Sequence, residues 1–147
     1  MRAVLDTNTL ISMVLTSHQP ASTMWRLFQH ATSGSFRAVL LEEVEYEFHR
    51  VVKTKPYLQR VIGPARADQF LNDLRNVSDV VPRIELPEWT FARDERDDFL
   101  IAYALMLNVD YLVTGDRDLL VLQGALNMIV SPAEFLALIE TMTGDPK

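Results

Sequence analysis

Cysteine is absent from the 147-residue chain, which excludes a disulfide framework and any thiolate metal site. Long apolar runs are missing too, and nothing approaches the roughly 20 residues of a membrane-spanning helix. The opening residues lack a secretory leader's pattern, because Asp6 interrupts the first apolar stretch. A cytoplasmic protein that does not enter a membrane is the expectation. Net positive charge is also lacking. The formal charge is −6, against the basic footprint of the simplest nucleic-acid binders. The three histidines, His18, His30 and His49, have no ligand spacing, so zinc is not indicated.

What is present suits an ordinary globular protein: 48% hydrophobic and 23% charged residues. The length fits one domain with a full core, residues 1–147, with a loose tail at about 143–147. Charge is unevenly spread. From Phe48 to Ala67 there is no Asp or Glu, yet Arg50, Lys53, Lys55, Arg60 and Arg66 all fall there. Acidic residues gather at Glu42 to Glu47, at Asp94 to Asp98, and at Asp116 and Asp118. The basic run can draw an anionic ligand and the acidic groups a cation; a solvated surface explains the basic run equally well.

Strands and helices alternate along the chain. Val4-Leu5 running into Asp6 predicts a strand buried on both faces. A helix follows from near Thr9, with Thr7 or Asn8 as its cap, and a second holds Met24, Leu27, Phe28 and Ala31 at helical spacing. Phe36 to Leu41 is the second strand. Glu42 to Val52 is a helix closed by Pro56, Tyr57 to Gly63 a connector or short helix, and Pro64 opens another helix. Val77 to Pro82 gives a third strand, with an irregular link from Pro82 to Pro87. Asp97 to Asn108 is apolar nearly all round, as in a buried helix. Tyr111 to Thr114 and Met128 to Val130 are the last strands, separated by a helical turn at Leu119 to Leu122. Ser131-Pro132 opens the final helix. This order predicts an α/β domain with a mostly parallel sheet of four to five strands.

The acidic residues have a common placement. Asp6 and Asp116 each end an apolar strand, and so fall on the carboxyl edge where open α/β sheets bind ligands. Each can instead cap the helix after it. Asp97 and Asp98 open the buried helix, where negative charge suits the positive helix end but must be solvated, paired or metal-bound. Of Glu42, Glu43, Glu45 and Glu47, the last two border the apolar helix face on opposite sides, and Glu43 lies further round. Periodicity does not choose between Glu45 and Glu47. Carboxylates converging on one edge repel unless a hard, oxygen-loving cation such as Mg²⁺ or Mn²⁺ sits among them.

Val4-Leu5-Asp6-Thr7-Asn8, Glu47 after strand two, Asp97-Asp98-Phe-Leu-Ile-Ala, and Leu112-Val113-Thr114-Gly115-Asp116-Arg117-Asp118 occur in the order of PIN-domain nucleases. The chain resembles that family from Met1 to about Leu138, most closely its bacterial and archaeal toxin–antitoxin branch, similar to VapC-type toxins. The resemblance implies a PIN-like three-layer α/β/α sandwich and a metal-dependent endoribonuclease for single-stranded RNA. It also implies one or two Mg²⁺ or Mn²⁺ ions, a homodimer, and an antitoxin that covers the acidic groove. Asp6, Glu47 and Asp116 match the first, second and fourth acidic positions. The third falls on Asp97 or Asp98, and Asp118 matches a frequently acidic extra position. Asn8 and Thr114 match small polar supporting positions, and Arg50, Lys53 and Lys55 are candidates for the RNA backbone. Two other readings stand beside this one. A silent PIN-like interaction module keeps the shape without the chemistry. A haloacid-dehalogenase-like phosphatase shares the Asp6-to-Thr9 opening but has Asn8 where its second aspartate belongs. Trp25, Trp89 and Phe91 are candidates for core or partner surfaces.

Overall fold

A computed structural model describes residues 1–84 and 95–144; for residues 95–98 it describes the helical backbone alone. The strands are β1 (Arg2–Leu5), β2 (Arg37–Leu41), β3 (Ser78–Val81), β4 (Tyr111–Val113) and β5 (Ile129–Val130). The helices are α1 (Thr7–Leu15), α2 (Thr23–Ser33), α3 (Glu42–Thr54), α4 (Pro56–Val61), α5 (Pro64–Asn76), α6 (Glu95–Met106), α7 (Arg117–Leu120) and α8 (Pro132–Met142). All strand pairs are parallel, in the order β3-β2-β1-β4-β5. Helices flank the sheet, as the α/β/α expectation requires.

Burial explains the strand sequences. Ala3, Val4, Leu5, Ala38, Val39, Leu40, Leu41, Leu112 and Val113 are all sealed from solvent, as a central parallel sheet covered by helices demands. On one side α1, α2, α3, α5 and α8 pack against each other, while α6 packs over β4. Phe48, Phe70, Phe28 and Trp25 form a run of ring contacts through α3, α5 and α2, so Trp25 is a packing residue. Trp89 and Phe91 lie outside the described residues.

The topology places the site. From β1 the chain winds outward through β2 to β3; it then returns to β4 on the other side of β1 and continues to β5. Winding therefore reverses between β1 and β4, and the crevice outside the carboxyl ends of those two strands is where such sheets bind ligands. At the opposite edge the charges are closed among themselves. Arg2 and Arg37, the first residues of neighbouring strands, both reach Asp79, with Nε contacts of 3.3 and 2.8 Å.

Several boundaries differ from the sequence expectation. Helix α1 starts at Thr7 rather than Thr9, because Asp6 itself is the cap; Thr7 and Asn8 lie inside the first turn. Helix α3 runs to Thr54, and Pro56 both follows its end and opens α4 at the first turn, where a missing N–H costs nothing. Helix α6 is buried from Leu100 to Ala104, but Leu105 and Met106 emerge at 40% and 47% exposure. The link between Pro82 and Pro87 is described only to Ile84.

Candidate active site

A cavity of about 340 Å³ opens at the crevice between β1 and β4. Asp6, Asn8, Glu43, Tyr46, Glu47, Arg83, Phe99, Leu100 and Asp116 are among the residues that line it. Asp6 and Asp116 arrive there for the same local reason: each caps the helix that follows a buried strand, Asp6 directly after β1 and Asp116 after the two residues that follow β4. The capping and ligand readings of these aspartates are both compatible with the geometry. Asp6 Oδ1 accepts from the Thr9 N–H at 2.8 Å, and Asp116 Oδ1 accepts from the Asp118 N–H at 2.9 Å. A carboxylate with one oxygen engaged in a cap still has lone pairs to offer.

Thr114 couples the two. Its hydroxyl is fully buried, donates to Asp6 Oδ2 at 2.5 Å and accepts from the Asp116 N–H at 3.0 Å. The Asp6 N–H also donates to the Val113 carbonyl at 3.3 Å. Asp6 is only 5% exposed, and no cation of the chain pairs with it among the described residues. Two hydrogen bonds and the positive end of α1 are what compensate its charge.

Helix α3 supplies the next carboxylates. It springs from β2 without a side-chain cap, and Glu42, Glu43 and Glu45 in its first turn complement the bare helix end. The four glutamates then diverge. Glu45 turns to Arg75 of α5 and is absent from the cavity lining, whereas Glu47 lines it. Glu42 is exposed near Arg83 at 4.0 Å. Glu47 is held by Arg50, whose Nη2 and Nε lie 2.7 and 3.2 Å from its two oxygens. Glu43, which the sequence places further round from the apolar helix face, lines the cavity with Glu47 one turn away. Its Oε2 accepts from the Tyr103 hydroxyl at 2.6 Å, and its Oε1 is buried with no hydrogen-bond partner among the described residues. The i,i+4 spacing to Glu47 was the signal in the sequence that could have found it. Burial, followed by the Glu43 hydrogen bond, raises the Tyr103 pKa above its ordinary 10.0, so the hydroxyl stays protonated and donating at neutral pH.

The remaining sequence candidates divide. The side chains of Asp97 and Asp98 lie outside the described residues; Phe99 and Leu100, next along α6, line the cavity. Asp118 contributes its N–H to Asp116, and its side chain is not part of the lining. Lys53 and Lys55 are exposed and off the cavity; the lining cation among the described residues is Arg83. His18 is exposed, His49 faces Asp68, and His30 lies between Ser35 and Glu140, so none approaches the cavity.

As placed, no three carboxylate or histidine side chains among the described residues group tightly enough to hold an ion. Asp6 and Asp116 are engaged in their caps, and Glu47 is closed by Arg50. The donor set nonetheless fits a hard divalent cation: every candidate atom is a carboxylate oxygen, and one of them is a buried oxygen with no partner. Hard-oxygen sites of this kind suit Mg²⁺ or Mn²⁺ rather than zinc.

A comparison with curated proteins finds no match. The PIN domain family matches residues 2–118, from β1 into the start of α7, and PIN domains are generally nucleases. The match covers well over half of the chain and takes in Asp6, Glu47, Thr114 and Asp116. On that ground the chain belongs to the PIN-domain family.

Proposed function

We propose that the protein is a divalent-metal-dependent endoribonuclease acting on single-stranded RNA. The observation that carries this reading is the coupled pair Asp6 and Asp116, set beyond the carboxyl ends of the adjacent parallel strands β1 and β4 at the reversal of winding and joined through Thr114. Asp6, Asp116 and Glu47 are the residues that hold one or two Mg²⁺ or Mn²⁺ ions, with Asp97 or Asp98 at the third acidic position. Bound there, the metal supplies an activated water for in-line attack on a phosphodiester and neutralises charge on the phosphate oxygens. Thr114 holds the Asp6 carboxylate and the Asp116 backbone N–H, and Asn8 on the cavity rim orients polar groups. Arg83 lines the cavity and can take a backbone phosphate; Arg50, Lys53 and Lys55 on and after α3 are further candidates for the RNA backbone. Tyr46, 65% exposed on the rim, presents a ring on which an unpaired base can stack. The similarity to VapC-type toxins supports a cytoplasmic toxin role, an antitoxin segment over the acidic cavity, and a homodimer. No helix among the described residues is long and apolar enough to cross a membrane.

Asp6→Asn tests the reading cleanly, since asparagine caps a helix as well as aspartate does. The variant keeps its thermal midpoint within a few degrees and loses Mn²⁺-dependent cleavage of single-stranded RNA. Wild-type cleavage by Asp6→Asn removes the assignment. The competing reading is a silent interaction module, favoured by one observation: Arg50 occupies both oxygens of Glu47. A thermal midpoint that Mg²⁺ and Mn²⁺ leave unmoved supports that module instead.

A further inference from the structure

We propose that Glu43 is an additional cation-facing carboxylate of this site, held in place by Tyr103. The inference rests on the nuclease reading above, and its arguments come from three separate observations. First, Glu43 and Glu47 project from successive turns of α3 into the same cavity as Asp6 and Asp116. Like charges at this spacing repel, and among the described residues Glu47 is paired with Arg50 while no cation is paired with Glu43. Arg83, the lining cation among the described residues, is placed against Glu42.

Second, Glu43 is fixed from another element. The Tyr103 hydroxyl donates to its Oε2 at 2.6 Å and itself accepts the Ile84 N–H at 3.0 Å. Tyr103 is fully buried on α6, so its ring cannot follow a swinging carboxylate. A partner that locks one oxygen of a carboxylate does what outer partners do for metal ligands. Third, the other oxygen, Oε1, is sealed from solvent and has no hydrogen-bond partner among the described residues. A buried acceptor of this kind is costly unless something positive meets it. A hard divalent cation in the cavity meets that need with the charge four carboxylates require. Glu43 is thus a direct ligand and Tyr103 a positioning residue.

Mn²⁺ binding to the full chain tests this without any turnover, read as loss of the free-ion electron paramagnetic resonance signal and as the Mn²⁺-induced rise in thermal midpoint. Glu43→Gln weakens Mn²⁺ binding by at least about tenfold, and Tyr103→Phe, which changes neither charge nor ring packing, by about tenfold as well. Without metal, Glu43→Gln melts no lower than wild type, because the repulsion with Glu47 is relieved; a merely structural Glu43 gives the opposite. If Glu43→Gln and Tyr103→Phe bind Mn²⁺ as wild type does while Asp6→Asn has lost it, the inference is overturned and the nuclease reading survives. Should Glu43→Gln fail to fold, the Tyr103→Phe affinity decides alone. A wild-type chain that binds no Mn²⁺ removes both.

Discussion

Thr114 is the residue on which the candidate chemistry turns. Its side chain has one proton and two lone pairs, and the fold uses the proton on Asp6 and a lone pair on the Asp116 N–H. Valine has nearly the same shape and neither function. Thr114→Val leaves a buried carboxylate oxygen and a backbone donor unmatched, a cost of about 1–3 kcal/mol, measurable as a lower midpoint in urea. If the hydroxyl also holds the pair in register for a cation, Mn²⁺ affinity falls by about 10- to 100-fold. Thr114→Ser restores the hydroxyl and recovers most of both. The placement of Asp6 was legible in the sequence because its apolar run stops there, at the carboxyl edge of the sheet. Glu43 was less so: its i,i+4 spacing to Glu47 is visible, but periodicity placed it away from the apolar face of α3. Its role depends on Tyr103, sixty residues away, and no spacing rule reports that contact.

Among the elements, α8 shows how directly sequence sets a boundary. Ser131 Oγ accepts from the Glu134 N–H at 3.1 Å, and Glu134 Oε1 accepts from the Ser131 N–H at 2.8 Å, with Pro132 at the first position. These contacts are a reciprocal capping box. Ser131→Ala lowers stability by about 0.5–2 kcal/mol, seen in equilibrium unfolding, without affecting the distant cavity. Helix α1 misled in a small way for the same chemistry. Asp6, Thr7 and Asn8 are all competent caps, and the chain uses the first because Leu5 must complete the strand ladder beside Val113. Helix α4 was ambiguous in sequence because it is six residues long, with Leu58 its one buried residue. Strand-rich and helix-rich periods, by contrast, fixed the order of the elements without help from the third dimension.

At the scale of the whole molecule, the sheet separates its charges. The amino edge carries Arg2, Arg37 and Asp79 in a closed set, and the carboxyl edge carries Asp6, Asp116, Glu43 and Glu47 around a cavity. The hydrogen bond from Arg37, the attraction of the same guanidinium, and the contacts of Arg2 outweigh burial and hold Asp79 below its ordinary 3.8. A carboxyl whose folded pKa is lowered contributes stability that is complete above about 3.8 and lost as the pH falls through the lowered value. Asp79→Asn therefore flattens the fall in stability as the pH drops below about 3.8, read in a series of thermal melts. The candidate site belongs to the other edge, and its convergence on one ion is open to direct observation. Crystals of the wild-type chain grown with Mn²⁺ are expected to show one anomalous-scattering peak at the end of β1 and β4, about 2 Å from oxygens of both Asp6 and Asp116. A peak bound elsewhere, or an Mn²⁺-saturated crystal with no metal touching either aspartate, contradicts the nuclease site described here.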